Sequence, residues 1–265
     1  MKIVLFDMDG TLTPARKEMD WSMVQALYNL QSAGFEIGIL SGSDLQYMRQ
    51  QCDVLFDLTR VDCSRIHWLP CNGTKYFKYT RVNEEKVDFK KIYEYNMREH
   101  LGEKKWRRLI QLLVNLQSSM TRVHRKIPLT GTFIDYRGST VNWCPIGRSA
   151  GHPDRALWES LNKDNNIRKI WLRLASEGLL SANLGDVIIK YGGDTSFDIY
   201  PEGWDKTFAF KNFSDYSEIY FVGDRCTPTG NDYEAYKLAG SNGFKTTDPE
   251  QTKEIISHLI EKNKE

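Results

Sequence analysis

The sequence has no cysteine pair at C-x-x-C spacing, no internal repeat, no low-complexity tract and almost no net charge. It also has no apolar run near the roughly 20 residues of a membrane helix. Each absence removes a class. The five cysteines (Cys52, Cys63, Cys71, Cys144 and Cys226) are odd in number and unpatterned. That argues against a disulfide framework or zinc site and for a reducing, cytoplasmic compartment. The five histidines are equally dispersed. A formal net charge of +1 over 265 residues gives no broad electrostatic basis for nucleic-acid binding. No membrane partner is expected. The N-terminus shows no signal-peptide pattern, because a strand starts at residue 2. The length suits one large domain or two small ones.

What is present concentrates at the start. Lys2 to Phe6 is apolar and rich in β-formers, and predicts a buried strand. It runs into Asp7-Met8-Asp9-Gly10-Thr11-Leu12-Thr13. Side chains at i and i+2 of a strand share a face. Asp7 and Asp9 therefore converge at the strand's carboxyl end, where open α/β sheets bind ligands. Two close carboxylates repel, and one takes up a proton unless a cation is shared between them. Mg²⁺ suits the position, since it prefers oxygen ligands and often bridges carboxylate to phosphate. The plainer alternative is an acidic turn with Asp as a helix cap.

Four later features extend the pattern. Arg16 offers a planar fork for a phosphate, or is a surface arginine. Ser41-Gly42-Ser43-Asp44 follows a second strand, Phe35 to Leu40, and places hydroxyls and free backbone N–H groups where an anion binds. Ser43 and Asp44 serve equally well as an ordinary cap. Lys206 opens a helix and can neutralise a phosphorylated aspartate, or faces solvent as most lysines do. Gly223-Asp224 ends another buried strand, Ser217 to Val222, and offers a further carboxylate to a metal. The nearby Asn231-Asp232 reads more simply as a turn.

The middle of the chain changes character. Cys52 to Tyr79 reads as strand and hairpin around the Asn72-Gly73 turn signal. Arg81 to Val87 reads as a linker. Helices are expected at about 88–101 and 103–118, the second with an apolar stripe of Trp106, Leu109, Ile110, Leu113 and Leu116. Short β-like runs follow at Gly131 to Arg137 and Thr140 to Trp143. Pro153 to Glu177 is helical, with a break near Asp164-Asn165-Asn166. Two more β-like runs follow, Asp186 to Tyr191 and Thr195 to Tyr200. Helices with paired strands predict an α+β module with an antiparallel sheet, inserted into an α/β core. Inside it, Arg148 in Pro145-Ile146-Gly147-Arg148-Ser149 suits a phosphate. Ser196 and Asp198 share a strand face and suit sugar hydroxyls; the plainer alternative is that Arg148 is a surface arginine and Asp198 a hinge residue capping a turn. Near the C-terminus, Asp248, Pro249 and Gln251 predict a capped final helix.

In order, these motifs resemble the haloacid-dehalogenase-like (HAD) phosphotransferases. Asp7 to Arg16, Gly131 to Asp135, Asn142 with Pro145 to Ser149, Ser196 to Asp198, Gly203-Trp204-Asp205-Lys206 and Gly223-Asp224 to Asp232 narrow the resemblance to the eukaryotic-type phosphomannomutase family, over nearly the whole chain. The resemblance implies a Rossmann-like α/β core at 1–81 and 199–265. It implies an inserted α+β cap at 82–198 that closes over a hexose phosphate and forms a homodimer. Asp7 becomes the nucleophile, Asp9 the general acid and base, and Lys206 a catalytic charge. Mg²⁺ is held by Asp7, Asp9 and Asp224. Arg16, Ser41, Ser43, Asn142, Arg148, Ser196 and Asp198 become substrate-binding residues. A hexose 1,6-bisphosphate is the implied activator, and mannose 6-phosphate and mannose 1-phosphate the implied pair. Three departures keep a sugar-phosphate phosphatase on the same fold as the alternative. Thr130 stands where the family has Arg, Cys71 where it has Glu, and Ser41 where it usually has Gly.

Overall fold

Alternate side chains of the first strand enter two different apolar layers. Val4 and Phe6 join Leu27, Ile37, Trp68 and Val222 on one side. Ile3 and Leu5 join Leu69, Ala209, Phe213 and Phe221 on the other. A strand buried on both faces belongs in the middle of a parallel sheet covered by helices. The computed structural model, which describes residues 1–56, 60–81 and 87–264, has that architecture.

In chain order the elements are β1 (Lys2–Asp7), α1 (Trp21–Ser32), β2 (Phe35–Leu40), α2 (Leu45–Cys52), β3 (Ile66–Leu69), β4 (Lys75–Arg81) and β5 (Val87–Glu94). Then come α3 (Met97–Val123), β6 (Ile134–Tyr136), β7 (Val141–Trp143), α4 (His152–Asn165), α5 (Ile167–Ser181), β8 (Val187–Gly192) and β9 (Ser196–Pro201). A 3-10 helix (Lys206–Phe213) precedes β10 (Glu218–Gly223), α6 (Tyr233–Ala239), β11 (Gly243–Lys245) and α7 (Pro249–Lys262). The chain divides into two units, Met1–Glu94 with Gly203–Glu265, and Tyr95–Glu202.

The first unit is built on a seven-stranded sheet of order β11-β10-β1-β2-β3-β4-β5. Strands β11 to β3 run parallel, and β4 and β5 are antiparallel to their neighbours. The helix expected from residue 88 is instead strand β5, and the first helix of this region starts at Met97. Cross-strand aromatic packing overrides the local polar pattern. Phe89 lies edge-on to Trp68 at 5.3 Å and to Phe56 at 5.7 Å. The linker expected at 81–87 lies mostly outside the described residues. Its two ends, Arg81 and Val87, pair as neighbours in the β4–β5 ladder.

The connection from β3 to β4 is tight. Cys71, Asn72 and Gly73 all have positive φ, at 51°, 62° and 80°. A Cβ on Gly73 would lie 2.7 Å from the Ala209 Cβ and 2.9 Å from its Cα. Gly73→Ala is therefore expected to cost about 2 kcal/mol or more, from both left-handed strain and overpacking against the 3-10 helix. Urea unfolding checks this, and an unchanged midpoint would refute the close-packing argument.

The second unit is a four-stranded antiparallel sheet of order β6-β7-β9-β8, with α3, α4 and α5. Trp143 and Phe197 stack at 5.0 Å in its core. The Trp143 indole donates to Gln117 Oε1 at 2.7 Å, which satisfies its polar edge. The expected break in the long helical stretch falls at Asn166, whose left-handed φ of 51° separates α4 from α5. The strand expected from Gly131 is shorter and begins at Ile134. Gly131 and Thr132 have positive φ, and their carbonyls accept the Arg148 N–H. They form a loop that clasps the Arg148 turn rather than a ladder. No described helix is long and apolar enough to cross a membrane.

Candidate active site

Parallel pairing of β1 with β10 sets Phe6 level with Val222, so Asp7 and Asp224 leave the sheet at the same edge. Between those strand ends Gly10 must be glycine. Its φ is 86°, and a Cβ there would lie 2.6 Å from Asp224 Oδ2. The acidic strand end and the later carboxylate are thus one cluster.

Two more side chains complete it. Lys206 is 1% exposed, and its Nζ donates to Asp7 Oδ1 and to Asp232 Oδ1. Asp232 is fully buried, and its other oxygen accepts the Arg225 N–H at 2.9 Å. Thr11 Oγ1 donates to Asp7 Oδ2 at 3.3 Å. Burial alone would lower the Lys206 ammonium, but Asp232 and Asp7 outweigh it and hold the lysine above its ordinary value. Burial lifts Asp7 well above the usual carboxylate range; Lys206 pulls it back, and Asp232 and Asp224 add to the rise. Burial and then Asp232 push Asp224 up to about 6, against Lys206 and Arg225.

Asp7, Asp224 and Asp232 each offer a carboxylate oxygen within 4.8 Å of the others. Three carboxylates face one ammonium and, at Asp224, the Arg225 guanidinium, so the cluster keeps an excess of acidic groups. The Asn231 side-chain oxygen is also buried, without a hydrogen-bond partner. An all-oxygen donor set of this charge fits a hard divalent cation. Such an ion would reverse the upward shifts on Asp7 and Asp224.

Asp9 lies outside that group of three. Its Oδ1 accepts from the Arg16 N–H at 3.0 Å, from Tyr47 Oη at 3.2 Å and from Gln51 Nε2 at 3.2 Å. Gln51 is in turn fixed by Thr13 Oγ1 at 2.7 Å. The Arg16 side chain is exposed. Ser41 is buried, and its Oγ accepts the Ser43 N–H at 3.1 Å. The helix cap is Asp44, whose carboxylate accepts the Tyr47 N–H at 2.9 Å.

The second unit holds its own polar cluster. Asn142 Nδ2 donates to Ser196 Oγ at 3.0 Å and to Asp198 Oδ1 at 2.6 Å, and its Oδ1 accepts from Arg148 Nη1 at 3.1 Å. Arg148 and Arg137 both face Asp135 Oδ2, at 3.4 and 3.2 Å. Two guanidiniums share the Asp135 carboxylate, with Asp198 a second acidic neighbour of Arg148, and an arginine fork of this kind can also pair with a phosphate. Burial, with Arg137 alongside, lowers the Arg148 guanidinium from its ordinary value.

Thr130 donates its hydroxyl to the Ile146 carbonyl at 2.8 Å, so it braces the Arg148 turn instead of offering a charge. Sequence reasoning did not single out Arg137, Gln51 or Tyr47, and it left Asp232 to a turn. Only Asp232 had a local signal, its place at the end of Gly230-Asn231-Asp232.

A family model described as eukaryotic phosphomannomutase matches residues 23–262. A phosphomannomutase of Dendrobium officinale is 33% identical over 255 residues, 95% of this chain and 91% of that protein. One of Arabidopsis thaliana is 33% identical, over 94% of this chain and 93% of its own. One of Drosophila melanogaster is 29% identical, over 98% and 95%. Among solved structures, IMP-bound Plasmodium falciparum IMP-nucleotidase aligns with a TM-score of 0.61 at 13% identity, covering 98% of this chain and 68% of that one. Aspergillus fumigatus trehalose-6-phosphate phosphatase aligns with a TM-score of 0.52 at 15% identity, covering 98% and 92%. At these identities the two structures speak for a shared fold alone.

Proposed function

The chain belongs to the eukaryotic phosphomannomutase family, and from that premise we propose that it interconverts mannose 6-phosphate and mannose 1-phosphate through a phosphoryl group carried on Asp7. The observation that carries the mechanism is the buried Lys206 bridging Asp7 and Asp232 beside Asp224.

A hexose 1,6-bisphosphate donates one phosphoryl group to an Asp7 carboxylate oxygen, and the sugar oxygen leaves. The free hydroxyl of a sugar monophosphate then attacks the phosphorus, and the Asp7–phosphorus bond breaks. Asp9 supplies the proton to the leaving oxygen and takes it from the attacking hydroxyl. Its Oδ1 is held by three donors, which orient the carboxylate. Lys206 stays charged and offsets negative charge on Asp7 and on the transferring group. Asp7, Asp224 and Asp232 would hold the divalent cation, which we take as Mg²⁺; bound there, it neutralises phosphoryl oxygens. Arg148, Asn142, Ser196 and Asp198 grip the phosphate that does not react and the sugar, with Arg16, Ser41 and Ser43 as further contacts.

None of the five cysteines is in a disulfide, which supports a reducing, cytoplasmic setting. Pairing of two copies through the second unit is proposed from the family resemblance alone.

The test is ³¹P NMR of the purified protein with Mg²⁺ and mannose 1-phosphate, with and without trace glucose 1,6-bisphosphate. A 6-phosphate signal that grows only with the bisphosphate is expected. Release of inorganic phosphate alone would mean that water, not a sugar hydroxyl, attacks phospho-Asp7, and the chain would be a phosphatase.

A further inference from the structure

The turn between β8 and β9 is held by a residue that the mechanism above does not use. Arg168 stands in the first turn of α5. Its Nη2 donates to the carbonyl oxygens of Gly192, Gly193 and Ser196 at 3.2, 2.8 and 2.9 Å. Its guanidinium carbon lies 4.7 Å from the Tyr191 ring centre and 5.8 Å from that of Phe197. Its backbone N–H donates to Asn162 Oδ1 at 2.8 Å, which ties the start of α5 to α4. A stacked guanidinium that serves several carbonyls is a rigid brace, because its plane and its donors are fixed together.

What the brace holds is Ser196. Ser196 Oγ donates to the Gly192 carbonyl at 2.9 Å and accepts from Asn142 Nδ2 at 3.0 Å. Asn142 Oδ1 then accepts from Arg148 Nη1. A continuous chain of contacts therefore runs from Arg168 through Ser196 and Asn142 to Arg148. Two neighbours grip other parts of the same turn. Arg155 Nη1 donates to Thr195 Oγ1 at 3.2 Å, and the Trp158 indole donates to the Asp194 carbonyl at 3.3 Å. The carbonyls of Gly192, Gly193 and Ser196, the points that orient the Ser196 hydroxyl and carbonyl, are held by Arg168.

We propose that Arg168 is a positioning residue for sugar-phosphate binding. By pinning the β8–β9 turn it sets Ser196 and Asn142, and through them the direction of the Arg148 guanidinium. It governs how tightly the phosphorylated sugar is held and leaves phosphoryl transfer at Asp7 unchanged. The proposal rests on the reading of Arg148, Asn142, Ser196 and Asp198 as substrate-binding residues.

Two variants test it, Arg168→Gln and Arg168→Lys. Lysine keeps the charge but not the fork, so it should fall between wild type and glutamine. The expected result for Arg168→Gln is a Michaelis constant for mannose 1-phosphate raised about tenfold or more, with kcat nearly unchanged. Circular dichroism shows whether each variant is folded. In ¹H–¹⁵N spectra, the Asn142 side-chain amide and the Arg148 Nε–H signals should move in both variants. Inorganic phosphate, as a probe, should perturb the Arg148 signal only at higher concentration than in wild type. An unchanged Michaelis constant, or equal losses in kcat and affinity with those signals unmoved, would overturn the proposal. If the wild type turned over no hexose phosphate, the functional reading would fail. The displacement of the Asn142 and Arg148 signals would then decide the positioning role by itself.

Discussion

Asp7→Asn is expected to lower turnover by about 10⁴-fold or more while leaving the protein folded. The amide presents no anionic oxygen to attack phosphorus, and no neighbouring group replaces it. Lys206 and Asp232 remain paired in the variant, so the buried charge keeps a partner. The stability effect has a definite sign in metal-free protein. The folded state holds the Asp7 proton more tightly than the unfolded chain does, chiefly because the carboxyl is buried. Stability from Asp7 is thus fully present below its unfolded pKa and declines as pH rises toward the folded value. Asparagine cannot ionise and escapes that decline. At neutral pH the metal-free variant should unfold at the same urea concentration as wild type or higher. Added Mg²⁺ should then stabilise wild type more, since ligand binding to the folded state adds to stability. Retained turnover in a purified, monodisperse sample would place the nucleophile elsewhere.

Lys206→Met is the second large effect, and it acts on stability as well as on rate. Lys206 is the ammonium bonded to both Asp7 and Asp232. Its removal leaves buried carboxylates without their counter-charge, which costs about 3–5 kcal/mol. Turnover should fall by about 10³-fold, the scale of losing one preorganised charge at a reacting group. The pH dependence follows from the same contacts. In wild type the lysine is held above its ordinary value, so its contribution is constant through neutral pH and is lost only in strong alkali. In the variant the exposed cost comes from ionised carboxylates, so it should shrink in mild acid as they take up protons. Urea midpoints at mildly acidic and mildly alkaline pH check this. Equal destabilisation at both would mean that lost packing, not unpaired charge, dominates.

Much of the fold is legible along the chain. The apolar run before Asp7, the capped start of α7 and the left-handed break at Asn166 are local features, and each is found where the local chemistry puts it. Strand β5 is not legible in that way. Val87 to Glu94 carries charges at helical spacing, and its ladder with β4, with Phe89 packed on the rings of Trp68 and Phe56, makes it a strand. Asp44 and Ser43 were equivalent as cap candidates, and backbone geometry selects Asp44. Thr130 could be noticed as a missing arginine. That its hydroxyl braces the Arg148 turn depends on Ile146, which is distant in sequence.

The candidate site divides along the same line. From the sequence alone come the acidic strand end, the family, and the residue types that phosphoryl transfer needs. The i and i+2 spacing predicts Asp7 and Asp9 on one strand face, but β1 ends at Asp7 and Asp9 lies beyond it. The tertiary structure decides which carboxylates form the cluster. The β1–β10 register brings Asp224 beside Gly10, and Lys206, 199 residues from Asp7, enters the same buried space with Asp232. Asp9 is drawn away to Tyr47 and Gln51 on α2. The physical reason is that buried charges must find partners, and the partners available are set by how strands and helices meet, not by neighbours along the chain.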